Sequence, residues 1–197
     1  MNRILLKNKN KGISIPLIIA LICLFSVNIL TQEYVIQQLR IEDGLSQSTI
    51  FSSLQDKEGY MWFATRSGLN RYDGYKFNLY FNDPKDPTSL SDDGTNALYE
   101  DKNGNLWIGT IYGNINRFDR RTETFIYKNI SEMVEIRPDQ TDDFYEYPLS
   151  FSRNQKTTIT SITEDKDGKL WIGTWGNGVM VVDKNFKKHN HFYYDSN

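Results

Sequence analysis

Cysteine, proline and histidine are scarce in this chain of 197 residues. It has one cysteine, Cys23, five prolines, and two histidines, His189 and His191. One cysteine cannot build a disulfide framework, and two histidines on one short segment lack the further ligands of a typical metal site. Aromatic residues nevertheless make up 14% of the chain, and hydrophobic residues 39%, which is enough for a packed core. We therefore predict a globular chain without a disulfide scaffold, a metal or a cofactor.

Acidic residues are absent from the first 31 positions. Basic side chains within residues 3–11 precede a mostly apolar run at 13–30. This order is typical of an export signal, and the apolar run is long enough to remain in a membrane. We interpret residues 1–31 as a signal peptide or signal anchor, so that residues 32–197 are exported to the periplasm.

Basic charge is in the minority in the exported part. Residues 32–197 carry 19 basic and 25 acidic side chains, a formal charge of −6. Proteins bind nucleic acid through clustered basic side chains, so this region is not expected to bind DNA or RNA. Arg117, Arg120 and Arg121 do cluster, and we interpret them as charges on a sheet edge that discourage edge-to-edge pairing.

A repeat organises the remaining sequence. Trp62, Trp107 and Trp171 occupy the same position in three similar stretches, at separations of 45 and 64 residues. The second separation is one period of 45 residues plus an insertion of 19. Each tryptophan follows an Asp-x-x-Gly turn that begins at Asp56, Asp101 or Asp165. Such turns supply the positive-φ residue of a tight hairpin.

Each repeat contains four short strand signals. In the second repeat these lie at 96–100, 106–110, 115–118 and 124–128. Four antiparallel strands in 40 to 50 residues are typical of a propeller blade, whereas solenoid repeats of that length show helical periodicity. The sequence thus predicts an all-β fold, a partial β-propeller of about three four-stranded blades.

The predicted blades are 45–89, 90–128 and 156–197, with an inserted loop at 129–155. Residues 34–40 also have a strand pattern, and we expect them to be the outer strand of a further blade. Three blades do not close a ring, because propellers have about four to eight. We therefore expect a piece of a larger ring.

The tryptophans are predicted to pack between blades. Because side chains alternate along a strand, Trp107 and Gly109 share one face, and Leu106 and Ile108 lie on the other. A large ring beside a small residue allows neighbouring sheets to interdigitate. Both faces are apolar, as expected for a sheet that is buried between two others.

No spacing of acidic residues singles out a catalytic pair, and the Asp-x-x-Gly turns lack the later ligands of a calcium loop. We therefore expect no enzymatic activity from this chain. Strand order places the loops between second and third strands on the same rim as the connections between blades. Arg66, Tyr112 and Trp175 lie in the former loops, and Tyr145 and Tyr147 lie in the inserted loop. Aromatic faces and a bidentate donor suit an oligosaccharide, so these five residues are the candidate ligand-binding residues.

The motifs also carry a family resemblance. Gly44-Leu45-Ser46, then GYMWFATRSGLNRYDGYKF from Gly59, DPKDPTSLS from Asp83 and GNLWIGT from Gly104 resemble the two-component regulator propeller. That repeat is found in the periplasmic sensor region of Bacteroides-type hybrid two-component histidine kinases.

The resemblance implies seven-bladed rings that detect glycan-derived oligosaccharides and signal across the inner membrane to a kinase and a phosphorelay. The implied partners are the rest of the sensor kinase chain or a second protomer. The alternative is a stand-alone exported propeller that binds carbohydrate or protein, or a glycan-active propeller enzyme. Further blades, a membrane helix and a kinase encoded after residue 197 would favour the sensor.

Overall fold

The structure is a computed structural model that describes residues 36–133 and 157–193. The chain divides into two units, Met1–Gln38 and Leu39–Asn197, and the blades belong to the second. The predicted signal segment, 1–31, and all but the first five residues of the inserted loop lie outside the described residues. Within the described ranges, no helix has the length and apolar character needed to cross a membrane.

Three antiparallel sheets of four strands form the second unit, which confirms the predicted fold class. We name them blade 1 (β1–β4), blade 2 (β5–β8) and blade 3 (β9–β12). The strands are, in chain order, β1 (Ser52–Gln55), β2 (Met61–Ala64), β3 (Leu69–Tyr72), β4 (Phe77–Tyr80), β5 (Thr95–Glu100), β6 (Leu106–Thr110), β7 (Asn114–Asp119), β8 (Thr124–Asn129), β9 (Ile159–Glu164), β10 (Leu170–Thr174), β11 (Val179–Val182) and β12 (Lys188–Phe192).

Strands follow chain order within every blade, so each is a simple meander. The hairpin between the first and second strand has the predicted turn. Gly59, Gly104 and Gly168 adopt φ values of 93°, 82° and 80°, which favour glycine. Side chains close the turn as well, because Asp56 Oδ1 accepts the N–H groups of Glu58 and Tyr60.

Blade 1 packs on blade 2 through one apolar cluster. Trp62 and Leu69 of blade 1 meet Leu106, Ile108 and Phe118 of blade 2, and all five are buried. The ring of Trp62 contacts the edge of the Phe118 ring, with centroids 5.2 Å apart. The face that carries Leu106 and Ile108 therefore points to blade 1, and it lies opposite the face of Trp107, as the alternation of side chains predicts.

Blade 2 packs on blade 3 through a second cluster. Trp107, on the opposite face of β6, lies with Ile159, Leu170, Ile172 and Met180 of blade 3. All five side chains are buried. The structure thus confirms that Trp62 and Trp107 are interblade residues.

One sequence prediction about segment boundaries is wrong. Residues 36–40 pair with none of the three described sheets, and the further blade to which the predicted strand 34–40 would belong is not among them, so that strand stays a prediction; residues 34 and 35 are outside the description. The inserted loop does not begin at 129. Strand β8 includes Asn129, a 3-10 helix spans Ile130–Met133, and Ile130 is fully buried between blades 2 and 3.

A glycine follows each of two repeat tryptophans by two positions, and close packing against the next blade explains the first of them, Gly109. A Cβ on Gly109 would lie 2.3 Å from Ile159 Cγ2, in blade 3. A Cβ on Gly173 would instead lie 2.4 Å from Ser161 Oγ, the end of a small side chain that can rotate away. Blade 1 has a buried alanine, Ala64, at the equivalent position.

We expect Gly109→Ala to lower the free energy of unfolding by about 1 to 3 kcal/mol, because the β-branched Ile159 cannot withdraw without moving β9. Gly173→Ala is the matched control and should cost less than about 0.5 kcal/mol. Urea denaturation followed by circular dichroism measures both. Equal losses of unfolding free energy in the two variants would show that the contact with blade 3 is not the reason for glycine at position 109.

Candidate functional site

Each blade has an edge at the hairpin between its first and second strand, which we call the hairpin edge. The repeated aspartate and tryptophan form this edge. The indole Nε1–H groups of Trp62, Trp107 and Trp171 donate to Oδ2 of Asp56, Asp101 and Asp165 at 2.7, 3.0 and 2.9 Å. Each aspartate therefore fixes the tryptophan of its own blade. This equivalence gives the six repeat residues a structural role.

A cation from the next blade completes this arrangement between blades 1 and 2. Arg120, in the turn between β7 and β8, pairs with Asp56 at 2.7 Å and with Glu100 at 2.8 Å. Glu58 adds a third carboxylate at 3.3 Å. We call this set, one cation between the aspartate of one blade and the glutamate of the next, an interblade bridge.

Blades 2 and 3 have the same bridge with a different cation. Lys184, in the turn between β11 and β12, pairs with Asp101 at 3.0 Å and with Glu164 at 2.8 Å. Burial raises the pKa of Asp101, but hydrogen bonds from Asn105, Trp107 and Lys184 outweigh burial and lower the pKa to about 2. The carboxylate is therefore ionised throughout the neutral range.

Backbone contacts accompany both bridges. The N–H of Lys57 donates to Glu100, and the N–H of Lys102 donates to Glu164, each at 2.9 Å. The ammonium groups of the same two lysines donate to carbonyls of Asn103 and Asp165 on the neighbouring blade. The hairpin edge is thus tied from blade to blade.

These contacts correct the interpretation of the arginine cluster as free edge charge. Arg120 is only 19% exposed and forms the bridge described above. Arg117 lies 5.8 Å from the Trp107 ring and donates to the Lys184 carbonyl. Arg121 alone is an exposed charge. The sequence could not reveal this difference, because it depends on which hairpins face each other across blades.

The opposite edge carries the candidate ligand-binding loops. Thr95, at the start of β5, donates to the Thr65 carbonyl, and the hydroxyl of Thr158 donates to the Ile111 carbonyl. The N–H of Trp175 donates in turn to the Thr158 carbonyl. These bonds join the loops after β2, β6 and β10 to the connections between blades, so the loops share one edge, as the strand order predicts.

This edge presents three exposed aromatic side chains and an exposed arginine. We call it the loop rim and define it by Phe51, Arg66, Tyr112 and Trp175. Trp175 is 63% exposed, Tyr112 49% and Phe51 41%. The guanidinium of Arg66 lies 5.7 Å from the centre of the Phe51 ring. Phe51 was not among the sequence candidates, and its signal is its place directly before β1.

A partly buried acid lies beside the loop rim. Burial raises the pKa of Asp92 above its ordinary value of 3.8, while hydrogen bonds from Gly94, Thr110 and Tyr112 act in the opposite direction. Its Oδ2 atom is buried and accepts no hydrogen bond from any described residue. The candidates Tyr145 and Tyr147 lie outside the described residues.

Known proteins share the repeat. The family model for the two-component regulator propeller matches residues 44–67, 89–112 and 155–176. Histidine kinase P4 from Formosa agariphila is 53% identical over 49 residues, which are 25% of this chain and 4% of the kinase.

Solved structures show the same architecture. Two crystal structures show an extracellular domain from B. thetaiotaomicron. One is described as part of a hybrid two-component system and is 27% identical to this chain. The other is described as part of a one-component system and is 26% identical. Both have a TM-score of 0.57, and each match covers 81% of this chain and 21% of the solved chain. This chain therefore spans about a fifth of the solved domain.

Four-stranded meanders that stack through their tryptophans define this protein as part of a β-propeller. Its repeats match the family model for the two-component regulator propeller, and they resemble the extracellular domain of a Bacteroides two-component system.

Proposed function

We propose that this chain is the N-terminal ligand-sensing propeller region of a periplasmic hybrid two-component sensor, and that its loop rim binds an oligosaccharide. The similarity to an extracellular two-component domain and to a histidine kinase supports the sensor role. The partner in signalling is then the rest of the sensor kinase chain. Sequencing the gene beyond codon 197 tests this part, since a stand-alone propeller has no membrane helix or kinase.

The contrast between the two edges carries the ligand proposal. Bridges and backbone bonds occupy the hairpin edge, whereas the loop rim presents three exposed aromatic rings and Arg66. Aromatic faces pack against the C–H faces of sugar rings, and a guanidinium donates paired hydrogen bonds to hydroxyls or to uronic carboxylates. The rim thus has the groups that recognise an oligosaccharide.

A binding experiment tests the loop rim directly. An array of neutral and uronic-acid oligosaccharides identifies a binder, whose affinity is then measured by calorimetry. We expect Trp175→Ala and Tyr112→Ala each to weaken binding about tenfold, the equivalent of 1.4 kcal/mol for a lost stacking contact. The melting temperature should change little, because both rings are exposed.

Tyr75→Ala is the matched control, since Tyr75 is 95% exposed but lies in the turn between β3 and β4, away from the loop rim. It should leave the affinity unchanged. An equal loss in all three variants, or an array without any binder, would contradict the ligand proposal while leaving the sensor proposal to the gene sequence.

A further inference from the structure

Two asparagines in this chain are each followed by glycine, Asn103-Gly104 and Asn177-Gly178. Asparagine is a chemically labile residue, and it is most labile before glycine, where no side chain hinders attack by the glycine nitrogen on the asparagine side chain. The first pair lies in the hairpin between β5 and β6, at the hairpin edge. The second lies in the loop between β10 and β11, where Asn177 follows Trp175 of the loop rim by two positions.

The backbone nitrogen of the first pair is already engaged. The N–H of Gly104 donates to the Asp101 carbonyl at 2.8 Å. The carboxylate of Asp101 also accepts the N–H groups of Asn103 and Asn105, each at 2.9 Å. Attack by the Gly104 nitrogen would require this hairpin to open, although Lys184 ties it to blade 3 through Asp101.

The backbone nitrogen of the second pair is not engaged in this way. Among residues 36–133 and 157–193, none accepts the N–H of Gly178. Other atoms fix the loop, because Thr174 donates its N–H and its hydroxyl to the Gly178 carbonyl, and Asn177 donates its N–H to Thr174 Oγ1, all at 2.9 Å. The nitrogen that must react is therefore available within an otherwise ordered loop.

A histidine contacts the same peptide bond. His191 Nε2 lies 2.6 Å from the carbonyl oxygen of Asn177, and the nitrogen of that peptide bond belongs to Gly178. Because a carbonyl oxygen only accepts, Nε2 carries the proton. A hydrogen bond to this oxygen draws electron density from the amide nitrogen, so its N–H loses a proton more readily. Lys57 makes a similar contact with the Asn103 carbonyl at 3.1 Å, so the two pairs differ chiefly in the glycine N–H.

We propose that Asn177 is a modification site that deamidates spontaneously through the nitrogen of Gly178. This nitrogen loses its proton and attacks Cγ of Asn177, a new C–N bond forms, and the bond to the side-chain nitrogen breaks as ammonia leaves with a proton. Water then opens the succinimide ring at either carbonyl and yields aspartate or isoaspartate. Both products add a negative charge close to Trp175, and isoaspartate also lengthens the main chain of the loop by one carbon.

The new charge changes what the loop rim accepts, and this step rests on the proposed function. A carboxylate at position 177 repels the carboxylate of a uronic acid but not a neutral sugar. Deamidation therefore lowers the affinity for uronic-acid oligosaccharides more than the affinity for neutral ones. The modification itself depends only on the geometry of the loop.

Peptide mass spectrometry tests the modification without any ligand. The full chain is incubated in mildly alkaline buffer and digested at intervals, and the sample at time zero corrects for deamidation during digestion. We expect Asn177 to deamidate about tenfold faster than Asn103, because the reaction at Asn103 requires a hydrogen-bonded hairpin to open. In concentrated urea the two rates should become similar. Equal rates in the folded protein, or a faster rate at Asn103, would overturn the proposal.

His191→Phe tests the contribution of the histidine, since it keeps a ring in place but removes the donor. Deamidation at Asn177 should become severalfold slower. The rate at Asn103 serves as the internal control and should not change if the fold is intact. An unchanged or faster rate at Asn177 would show that His191 does not promote the reaction.

Asn177→Asp reproduces one product, and Asn177→Gln is the neutral control. Calorimetry with a uronic-acid oligosaccharide and a neutral oligosaccharide from the array should show weaker binding of the former to the aspartate variant only. Equal affinities of the two variants for the uronic-acid ligand would overturn the effect on binding. An array without any binder would contradict the proposed function, whereas the deamidation rates would still decide whether Asn177 is a modification site.

Discussion

Replacement of Trp107 by alanine is expected to lower the free energy of unfolding by about 3 to 5 kcal/mol, the cost of a large buried ring. The ring is fully buried between blades 2 and 3, and it contacts the edge of Phe186 with centroids 5.6 Å apart. Its loss also leaves one oxygen of the buried Asp101 without the indole donor. Chemical denaturation followed by far-ultraviolet circular dichroism measures the change without relying on tryptophan emission.

Trp171→Ala provides the comparison, since it removes the same residue from the same position of the repeat. Because Trp171 is 37% exposed on an open face, we expect about half the loss. If Trp107→Ala prevents folding, Trp107→Phe and Trp171→Phe give a milder pair with the same ranking. Equal losses at the two positions would mean that burial between blades contributes little to the role of Trp107.

The repeat made most of the fold predictable. Spacing of the tryptophans and the Asp-x-x-Gly turns placed twelve strands in three sheets. Alternation along β6 indicated that Trp107 and Leu106 lie on opposite faces and that both faces are buried between neighbours, because the period of side chains in a strand is two. Even the loop rim follows from strand order, as the bonds from Thr95 and Thr158 illustrate.

Interactions between turns of different blades were not predictable. Arg120 and Asp56 are 64 residues apart, and no periodicity of one strand relates them. The predicted strand at 34–40 stays a prediction for a related reason, since a strand pattern becomes a strand only beside a partner, and its expected partners are not in the three described blades. Ile130 appeared to belong to an inserted loop, yet its burial depends on the gap between blades 2 and 3.

Tying one edge leaves the other available for ligand contact. The bridges fix the spacing of the blades at the hairpin edge, so loops such as 111–113 project from a rigid base. Rigid presentation reduces the entropy that a ligand must overcome to order its site. The division between a structural edge and the proposed binding edge therefore follows from the repeat itself.

Replacement of Arg120 by alanine is expected to lower the free energy of unfolding at pH 7 by about 3 to 5 kcal/mol, because Asp56 is left buried without its cation. The side chain of Asp56 is fully buried, and that of Glu100 is 13% exposed. Arg120→Lys should lose less, since Lys184 spans the equivalent carboxylates in the next bridge. Arg121→Ala, in the same turn but exposed, is the control and should change stability by less than about 0.5 kcal/mol.

The loss in free energy of unfolding caused by Arg120→Ala, which we call its deficit, should also become smaller as the pH falls. Burial raises the pKa of Asp56, but the bonds from Arg120 and Trp62 outweigh it and hold the pKa below 3.8. Stability from this ion pair is therefore present above the unfolded pKa of about 3.9 and is lost as the pH falls through the lower folded value. Without Arg120 the folded pKa of Asp56 rises, so protonation relieves the variant at a higher pH than the parent. Urea denaturation at pH 7, 5 and 3.5 should show a deficit that narrows with acid; a constant deficit would show that Arg120 stabilises the interface by packing and not by charge.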